Sequence, residues 1–304
     1  MRAARAALAL ALVLAACKPA PKPGPGGALV LTTQDGCPSL IALDADHVYF
    51  ATTAGVLANV PKAGGKKTVL AEGLVRPGAL AVDDSGAYVG TQGALVKVAK
   101  EGGAPVTLAS KLGLVTGLAL DATHVTFADF VKDSTLARVP KAGGDVDRLQ
   151  SVPGLVGHIA TDDASIWFVA SHQLVKLPKL GGFRAALDVT AEGDVRGADA
   201  RAVFLVDGRT IMRADKATGK TERVAEALVV PDPFIDDKEV FWPDAKTSGE
   251  GPSRVMSAPS SGGRPREIAA DQPVPKAIAA DAHDVYWVSC GRDGAAGSVS
   301  KKAR

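Results

Sequence analysis

One motif recurs seven times along the 304-residue chain and constrains the fold more than any other feature. Each copy has an aspartate followed, four residues later, by a small or β-branched apolar residue and then mostly bulky residues, as in Asp44 with Val48-Tyr49-Phe50. The seven aspartates, which number the repeats 1 to 7, are Asp44, Asp83, Asp121, Asp162, Asp199, Asp236 and Asp281. A regular period of about 40 residues is typical of chains built from one repeated supersecondary unit.

Each repeat is predicted to form four short β-strands, called a, b, c and d. In repeat 1, strand a ends at Asp44, strand b carries the aromatic residues, strand c covers 56–60 and strand d covers 68–71. These apolar runs are too short for helices and are rich in Val, Leu and aromatic residues. The turn between c and d, Pro61-Lys62-Ala63-Gly64-Gly65, has paired glycines that suit positive φ. The pattern predicts an all-β fold, a seven-bladed β-propeller of four-stranded antiparallel blades.

The two ends of the chain are predicted to complete one blade together. Repeat 7 supplies strands a, b and c, and the sequence ends at Arg304 before any strand d. Residues 28–32 precede the first strand a as residues 68–71 precede the second. We therefore expect strand 28–32 to complete blade seven and close the ring, so that the propeller spans 28–304 with no open edge between first and last blades.

The N-terminus reads as a targeting segment. Residues 1–16 have two arginines and an apolar stretch too short to span a bilayer, and they are predicted to be a lipoprotein signal peptide. Leu14-Ala15-Ala16-Cys17 resembles the lipobox of bacterial lipoproteins, in which the cysteine is lipidated; the alternative is an ordinary cleaved signal with an incidental Cys17. Residues 17–27 are expected to be an unstructured Pro/Gly-rich membrane tether. The protein is thus expected to be exported and lipid-anchored in the bacterial cell envelope, with Lys18 favouring the outer membrane.

Two further cysteines are predicted to form a disulfide. Cys37 lies in the loop before strand a of repeat 1, and Cys290 lies in the b–c loop of repeat 7. In a four-stranded blade the d–a and b–c loops share one face, so both cysteines are expected on the same rim. An even pair in an exported protein favours oxidation, although two free thiols are the alternative.

Charge gives little indication of a partner. The chain has 35 basic and 33 acidic residues, so nucleic acid is not an expected partner. The protein is also predicted to be a monomer. Lysines recur at the c–d turns, on the face opposite the d–a and b–c loops; they are Lys62, Lys100, Lys141, Lys179 and Lys216. They are interpreted as solubilising turn residues or, alternatively, as a basic ring toward an anionic surface.

No catalytic pattern is present. The sequence contains no GxSxG, HExxH, CxxC, P-loop or DxDxDG motif, so no catalytic residue, metal site or cofactor is predicted. The seven aspartates recur once per repeat at a turn, where a carboxylate can accept bonds from the following backbone N–H groups. They are interpreted as turn residues and not as metal ligands.

The best functional candidates are residues that break the repeat on the d–a/b–c face. His158, Arg196 and Asp232 stand in strand a of repeats 4, 5 and 6, where apolar residues are the rule. Loops on this face are free to vary, which favours a binding role. The predicted polar rim of the channel mouth consists of Arg76, Asp129, His158, Arg196, Asp232, Asp244 and Arg292.

The VPK-x-GG turns and the VYW-type strands resemble those of bacterial seven-bladed β-propeller lipoproteins and, more distantly, NHL, YVTN and streptogramin-lyase-like propellers. The resemblance implies the fold and leaves the function open. We expect a non-enzymatic scaffold that binds a protein or small ligand at the loop face and touches the membrane only through its N-terminal lipid. The alternative, from the streptogramin-lyase-like resemblance, is a metal-assisted lyase or hydrolase on the same face, for which His158 and His172 are candidates without a matching pattern.

Overall fold

The structure is a computed structural model that describes residues 22–191, 193–228, 232–244, 253–291 and 296–304. The predicted signal peptide, Cys17, residues 245–252 and Arg292 lie outside the described residues. Within the described ranges, no helix has the length and apolar character needed to cross a membrane.

The described chain consists of β-strands, turns and one short 3-10 turn. The N-terminal elements are β1 (Lys22–Pro23), the 3-10 turn (Pro25–Gly27) and β2 (Leu29–Gln34). Repeats 1 and 2 contain β3 (Pro38–Leu43), β4 (His47–Thr52), β5 (Leu57–Pro61), β6 (Thr68–Ala71), β7 (Ala79–Asp83), β8 (Gly86–Gly90), β9 (Gln92–Val98) and β10 (Val106–Leu120). Repeats 3 and 4 add β11 (His124–Phe130), β12 (Ser134–Pro140), β13 (Asp147–Val152), β14 (Ala160–Thr161), β15 (Ser165–Ala170), β16 (Gln173–Pro178) and β17 (Ala185–Thr190).

The remaining strands belong to repeats 5, 6 and 7. Repeat 5 contains β18 (Asp194–Ala198), β19 (Ala202–Asp207), β20 (Thr210–Asp215) and β21 (Thr221–Glu226). Repeat 6 contains β22 (Phe234–Ile235), β23 (Glu239–Asp244), β24 (Ser253–Pro259) and β25 (Arg266–Gln272), and repeat 7 contains β26 (Val274–Ala280), β27 (Asp284–Cys290) and β28 (Gly297–Ala303). The predicted all-β fold is confirmed.

Most repeats form one four-stranded antiparallel sheet in the order a-b-c-d. This holds for repeats 1, 4, 5 and 6, whereas repeats 2 and 3 share a seven-stranded sheet because β10 serves both as strand d of repeat 2 and as strand a of repeat 3. β10 is continuous, so no loop separates strand d of repeat 2 from strand a of repeat 3. The change of partner is marked by Lys111, whose φ is 57°, and by a register shift between Ser110 and Leu114.

The N-terminal strand joins the last repeat. β2 pairs antiparallel with β28, with Leu29 opposite Lys301 and Gln34 opposite Gly297. Part of the predicted tether is also structured, because β1 pairs with β2 and the side chain of Gln272 donates a hydrogen bond to the carbonyl of Pro25 (2.8 Å). The described part of the predicted tether, residues 22–27, is therefore not unstructured, while its role as a membrane tether stays a prediction.

The apolar core lies between successive repeats. Tyr49 and Ala51 of β4 pack with Val89 of β8, while the opposite face of β4 packs against Tyr286 and Val288 of β27. Strand b is thus buried on both faces, which explains its unbroken apolar sequence. Strands a of neighbouring repeats also contact one another: β3 contacts β7 and β26, and β18 contacts β14 and β22. These contacts bring the starts of neighbouring strands a together on the d–a/b–c face.

Candidate binding site

Three of the predicted rim residues come together where strand a begins in repeats 4, 5 and 6. His158 precedes β14, Arg196 lies within β18, and Asp232 precedes β22. A fourth residue, Asp194 at the start of β18, completes this group, which we call the polar cluster. The sequence analysis did not single out Asp194. The available signal was a charged residue five positions before the repeat aspartate, where repeats 1 to 3 have the uncharged Ser39, Gly78 and Thr116.

The polar cluster is a chain of hydrogen bonds and ion pairs. Asp194 Oδ1 accepts the backbone N–H of His158 (3.1 Å), and Asp194 Oδ2 lies 2.7 Å from His158 Nδ1. Arg196 Nη1 lies 2.7 Å from His158 Nε2 and 3.5 Å from Asp232 Oδ1. Nη1 is also 2.5 Å from His158 Nδ1. Since a carboxylate only accepts, Nδ1 carries the hydrogen given to Asp194, while Arg196 Nη1 lies beside both ring nitrogens.

Charge and exposure identify the part of the cluster that a ligand can reach. The Arg196 side chain is 12% exposed, whereas that of Asp232 is 38% exposed. Among the described residues, Arg196 Nε is buried without a hydrogen-bond partner. Two carboxylates, Asp194 and Asp232, face the Arg196 guanidinium, and Asp232 Oδ1 makes two long contacts, 3.5 Å to Arg196 Nη1 and 4.0 Å to His158 Nε2. The Asp232 carboxylate is thus able to accept a hydrogen bond from a ligand or to form an ion pair with a positively charged group of the ligand.

A pocket of about 430 Å³ adjoins the polar cluster at Asp194. Its walls are the loop before repeat 4, the b–c turn of repeat 4 at residues 169–172, and the loop before repeat 5. Leu155 and Val169 supply apolar surface, while Ser171, His172 and Asp194 supply polar atoms. A concave site of mixed polarity beside a charged group is suited to holding a side chain of a bound molecule.

The backbone around this pocket is specialised. Ser171 and His172 have φ values of 49° and 61°, and they form the two-residue turn between β15 and β16, a place that favours Asn-Gly. The carbonyl of His172 accepts the N–H of Ala191 (2.9 Å), which ties this turn to the next loop. Gly157 is required nearby, because a Cβ there would lie 2.4 Å from Asp194 Oδ2. Non-glycine residues in the left-handed region are retained where surrounding structure enforces them, often at functional sites.

The other predicted rim residues lie outside the polar cluster. Asp129 Oδ1 accepts the N–H of Gly113 (2.7 Å), and Asp244 Oδ1 accepts the N–H of Leu228 (2.7 Å). Both aspartates lie at or next to the end of strand b and hold the d–a connection that precedes their own repeat, which is within β10 for Asp129 and a loop for Asp244. Asp244 is also buried and pairs with the guanidinium of Arg254.

Arg76 is exposed and donates to the Gln92 side-chain oxygen (3.2 Å), away from the cluster. Arg292 lies outside the described residues. The structure thus places three of the seven predicted rim residues together and gives two of the others a loop-holding role.

The metal-assisted alternative is not favoured. In the ranges that the structure describes, no three His, Cys, Asp or Glu side chains converge as a possible metal site. At His158, one candidate ligand, Arg196 Nη1 lies 2.5 Å from Nδ1 and 2.7 Å from Nε2. A fixed positive charge at this distance opposes a cation.

A disulfide joins Cys37 to Cys290, as the sequence predicts. Their Cα atoms are 4.6 Å apart. The bond links the loop after β2 to the end of β27, so it lies beside the strand pair β2–β28 on the same face as the polar cluster.

The opposite face contains a ladder of ion pairs between successive repeats. The pairs are Lys62 with Asp281 (2.7 Å), Lys100 with Asp44 (2.9 Å), Lys141 with Asp83 (2.5 Å), Lys216 with Asp162 (2.7 Å) and Arg304 with Asp236 (2.6 Å). In every pair the cation comes from the repeat that follows the aspartate, with repeat 1 following repeat 7. The interpretation of the c–d lysines as solubilising residues or as a basic ring is wrong for Lys62, Lys100, Lys141 and Lys216, because neighbouring carboxylates neutralise them.

The repeat aspartates also serve the turn role that the sequence predicts. Asp44 Oδ1 accepts the backbone N–H groups of Asp46 (2.9 Å) and His47 (2.7 Å). Repeats 3 to 7 show the same pair of bonds, and in repeat 2 Asp83 accepts the N–H of Ser85 alone. Partial burial acts to raise the pKa of Asp44, but the Lys100 ammonium and these N–H groups outweigh it and lower the pKa to about 2. The carboxylates on this face are therefore structural anions.

Comparison with known proteins identifies the fold and nothing finer. No family model and no curated protein matches the chain. Similar solved structures include YCF48 bound to D1 peptide (11% identity, 94% of this chain and 99% of that chain, TM-score 0.67) and the WD40 β-propeller domain of Doa1 (11%, 90% and 97%, 0.66). BamB from Moraxella catarrhalis is a further similar structure (14%, 86% and 84%, 0.54). The chain is therefore a β-propeller, as its repeats predict.

Proposed function

We propose that this protein is a non-enzymatic binding propeller, lipid-anchored in the bacterial cell envelope, whose d–a/b–c face holds a segment of a partner protein. The observation that carries the proposal is the polar cluster of His158, Asp194, Arg196 and Asp232. Other repeats place apolar or small residues at the corresponding strand starts, such as Leu40 and Ala79. Grouping charges there costs desolvation energy, so their presence favours a function over a contribution to stability.

The pocket beside Asp194 supports a polypeptide as the ligand. It is large enough for a side chain, while the Asp232 carboxylate remains exposed on the other side of the cluster. An extended segment crossing the face could place one side chain in the pocket and a donor group against Asp232. The similar propeller YCF48 is described as bound to a peptide, which makes this mode of use reasonable for the fold.

The proposal includes seven blades in a closed ring and a monomeric protein. The seven-stranded sheet then counts as blades two and three, divided at β10, and β2 completes blade seven. Three links between the chain ends support closure: the pairing of β2 with β28, the disulfide Cys37–Cys290 and the ion pair Lys62–Asp281. Proposed lipidation at Cys17 would place this domain at the membrane surface, with the outer membrane favoured.

Site-specific photo-crosslinking in cells tests the binding face. A photoreactive residue replaces Leu155, which is 58% exposed at the pocket, or Leu180, which is 84% exposed at a c–d turn on the opposite face. We expect the probe at 155 to give a discrete crosslinked protein that mass spectrometry identifies, and the probe at 180 not to give that product. The 155 product should be lost when Arg196→Ala or Asp194→Asn is added. A product of equal yield in those variants would refute the role of the polar cluster.

Detergent phase partitioning tests the anchor separately. The wild-type chain is expected in the detergent phase after export, and Cys17→Ser is expected to shift the folded protein to the aqueous phase. Recovery of the Cys17→Ser protein in the membrane fraction would refute lipidation at this residue without bearing on the binding face.

A further inference from the structure

The c–d turn of repeat 4 exposes two large apolar side chains on the face opposite the polar cluster. Phe183 is 99% exposed and Leu180 is 84% exposed, more than any other large apolar side chain among the described residues. They stand at the two ends of Gly181-Gly182, the pair that reverses the chain between β16 and β17. We call these two residues the apolar tip. Large apolar side chains that stay together in water commonly mark a surface for another molecule.

The apolar tip breaks the repeat. At the position of Phe183, the other c–d turns have Lys66, Ala104, Asp145, Lys220 and Arg264. At the position of Leu180, they have Ala63, Glu101, Ala142, Ala217 and Ser261. The turn therefore does not need a large apolar residue at either position in order to form, and folding gives no reason for the apolar tip.

The turn that carries the apolar tip is held by the backbone around it. The N–H of Gly181 donates to the carbonyl of Pro178 (3.0 Å), and the N–H of Lys179 donates to the carbonyl of Ala164 (2.9 Å). Arg138 of repeat 3 donates from Nη1 to the carbonyl of Lys179 (3.1 Å). These bonds fix the path of the turn, so the exposure of the apolar tip is a property of the folded blade.

Positively charged side chains flank the apolar tip. Lys176 and Arg184 are exposed, Lys179 is half-buried, and residues 173–187 contain no acidic residue. A surface that combines exposed apolar groups with lysine and arginine is complementary to the interface of a bilayer that contains anionic lipid.

The neighbouring segments do not cancel this charge. They contribute Asp145, Asp147 and Asp163 together with Arg138 and Arg148, and Asp147 is paired with Arg138 (2.8 Å). The surroundings thus add one net negative charge to the three positive charges beside the apolar tip, and the region stays positive.

The position of the N-terminal strand allows this face to meet a membrane. Lys22 pairs with Val30, the second residue of β2, and β2 begins at the end of the blade where the c–d turns lie. Cys17 precedes Lys22 by five residues, which span at most about 17 Å. A membrane lying against the c–d turns is therefore within reach of a lipid on Cys17 and of the apolar tip at the same time.

We propose that the apolar tip and its flanking cations form a second membrane contact, in which Leu180 and Phe183 enter the headgroup region of an anionic phospholipid bilayer. The proposal rests on the proposed anchoring at Cys17 and adds an orientation to it. The c–d turns face the membrane, and the polar cluster faces away from it, toward a partner. The sequence predicts membrane contact through the lipid alone, and the apolar tip adds a contact made by the folded domain.

Vesicle sedimentation tests this contact with residues 17–304 carrying Cys17→Ser, a chain that has neither leader nor lipid. We expect it to bind equimolar phosphatidylcholine–phosphatidylglycerol vesicles, and to bind phosphatidylcholine vesicles at least about fivefold more weakly because they do not attract the cations. Leu180→Ser combined with Phe183→Ser should weaken binding to the mixed vesicles at least about tenfold. The matched control is Val131→Ser, which removes a 75% exposed apolar side chain from the d–a/b–c face and should stay within about twofold of the parent.

Fluorescence distinguishes insertion of the apolar tip from adsorption by charge alone. The three native tryptophans, Trp167, Trp242 and Trp287, are at most 1% exposed, so a tryptophan introduced by Phe183→Trp reports on the tip. Its emission should shift to shorter wavelength with the mixed vesicles and be quenched by brominated lipid. Val131→Trp should show neither change.

The outcomes separate this contact from the proposed function. Aqueous partitioning of the wild-type chain would refute the anchor at Cys17, whereas vesicle binding by the lipid-free chain does not depend on it. The free energy of unfolding of the double serine variant should match that of the parent, because both side chains are exposed.

Three results would overturn the proposal. They are a parent chain that does not bind the mixed vesicles, a double serine variant that binds them as tightly as the parent, and a Phe183→Trp emission that brominated lipid does not quench. A dimer that dissociates in the double serine variant, without vesicle binding by the parent, would assign the apolar tip to a contact between copies and overturn the proposal as well.

Discussion

Lys62 Nζ lies 2.7 Å from Asp281 Oδ2, and this ion pair joins the first repeat of the chain to the last. The two side chains are 15% and 27% exposed, and the ammonium also lies 5.4 Å from the ring centre of Tyr286. Such a pair is better shielded from water than an ordinary surface ion pair, so its contribution should exceed the usual small value. The same kind of ion pair recurs between other neighbouring repeats. Removing this one tests how strongly the first and last repeats are held together.

Replacing Lys62 by methionine should lower the free energy of unfolding by about 1–2 kcal/mol, because Asp281 would lose its charge partner while remaining partly buried. Denaturant unfolding monitored by tryptophan fluorescence measures the change. The matched control is Lys220→Met, which removes an exposed ion pair with Glu222 and should change stability by less than about 0.5 kcal/mol. Equal effects of the two substitutions would show that the Lys62–Asp281 pair does not stabilise the molecule.

The ladder should also make the protein sensitive to acid. Partial burial alone would raise the pKa of Asp162, but Lys216 and the indole N–H of Trp167 lower it to about 2, as Lys100 and turn N–H groups do for Asp44. A carboxyl group whose folded pKa lies below its unfolded value of about 4 stabilises the fold above pH 4. That contribution is lost as the pH falls from about 4 to about 2.

Unfolding free energies measured from pH 7 to pH 2 should therefore be nearly constant down to about pH 5 and fall steeply below pH 4. Asp162→Asn should be less stable than wild type at pH 7 and show a shallower fall in acid, because one titrating group is removed. An unchanged slope in that variant would contradict the assignment of acid sensitivity to the ladder.

The repeat pattern predicts most of the fold because each strand is short, apolar and bounded by turn residues. Turns such as Gly64-Gly65 adopt the expected positive φ, and the aromatic residues of strand b are buried between repeats as the continuous apolar sequence indicates. The exception is β10, where residues 106–120 form one strand that serves two repeats, a continuity that the repeat pattern does not predict.

The site is less predictable because the role of a polar residue depends on what faces it. Asp129 and Asp232 both break the repeat, yet Asp129 holds a loop N–H while Asp232 joins a charged group from two other repeats. The lysines show the same limit. Their carboxylate partners belong to the preceding repeat, and the sequence pattern of a single repeat does not reveal contacts between two repeats.

The disulfide should stabilise the molecule substantially. Cys37 and Cys290 are separated by 253 residues, and linking them restricts the unfolded chain, so the double variant Cys37→Ser, Cys290→Ser should lose about 2–4 kcal/mol. Denaturant unfolding of the wild-type protein with and without reductant provides an independent comparison. Reductant should destabilise the wild type but leave the double variant unchanged. Two free thiols in the unfolded, unreduced wild-type protein would contradict the pairing.

Repeat 6 has Ser260 where Lys62, Lys141 and Lys216 stand in their repeats, and a lysine at this position should stabilise the protein. Ser260→Lys is expected to raise the free energy of unfolding by about 0.5–1 kcal/mol, since it adds a charge pair to Asp199. The gain should disappear in the double variant Ser260→Lys, Asp199→Asn, and a double-mutant cycle measures this coupling. If Ser260→Lys is equally stabilising with either residue at 199, the new lysine does not occupy the ladder position.

Replacing Asp232 of the polar cluster should weaken partner binding while leaving the stability of the fold nearly unchanged. Asp232 is 38% exposed and makes two long contacts, 3.5 Å to Arg196 Nη1 and 4.0 Å to His158 Nε2, whereas alanine stands at the corresponding positions 79 and 277. Asp232→Ala should therefore change the free energy of unfolding by less than about 0.5 kcal/mol, but reduce the photo-crosslink from position 155 at least about fivefold. Asp237→Ala, on the opposite face, should leave both measurements unchanged. A loss of more than about 2 kcal/mol with an unaltered crosslink would assign Asp232 a structural role and remove it from the binding site.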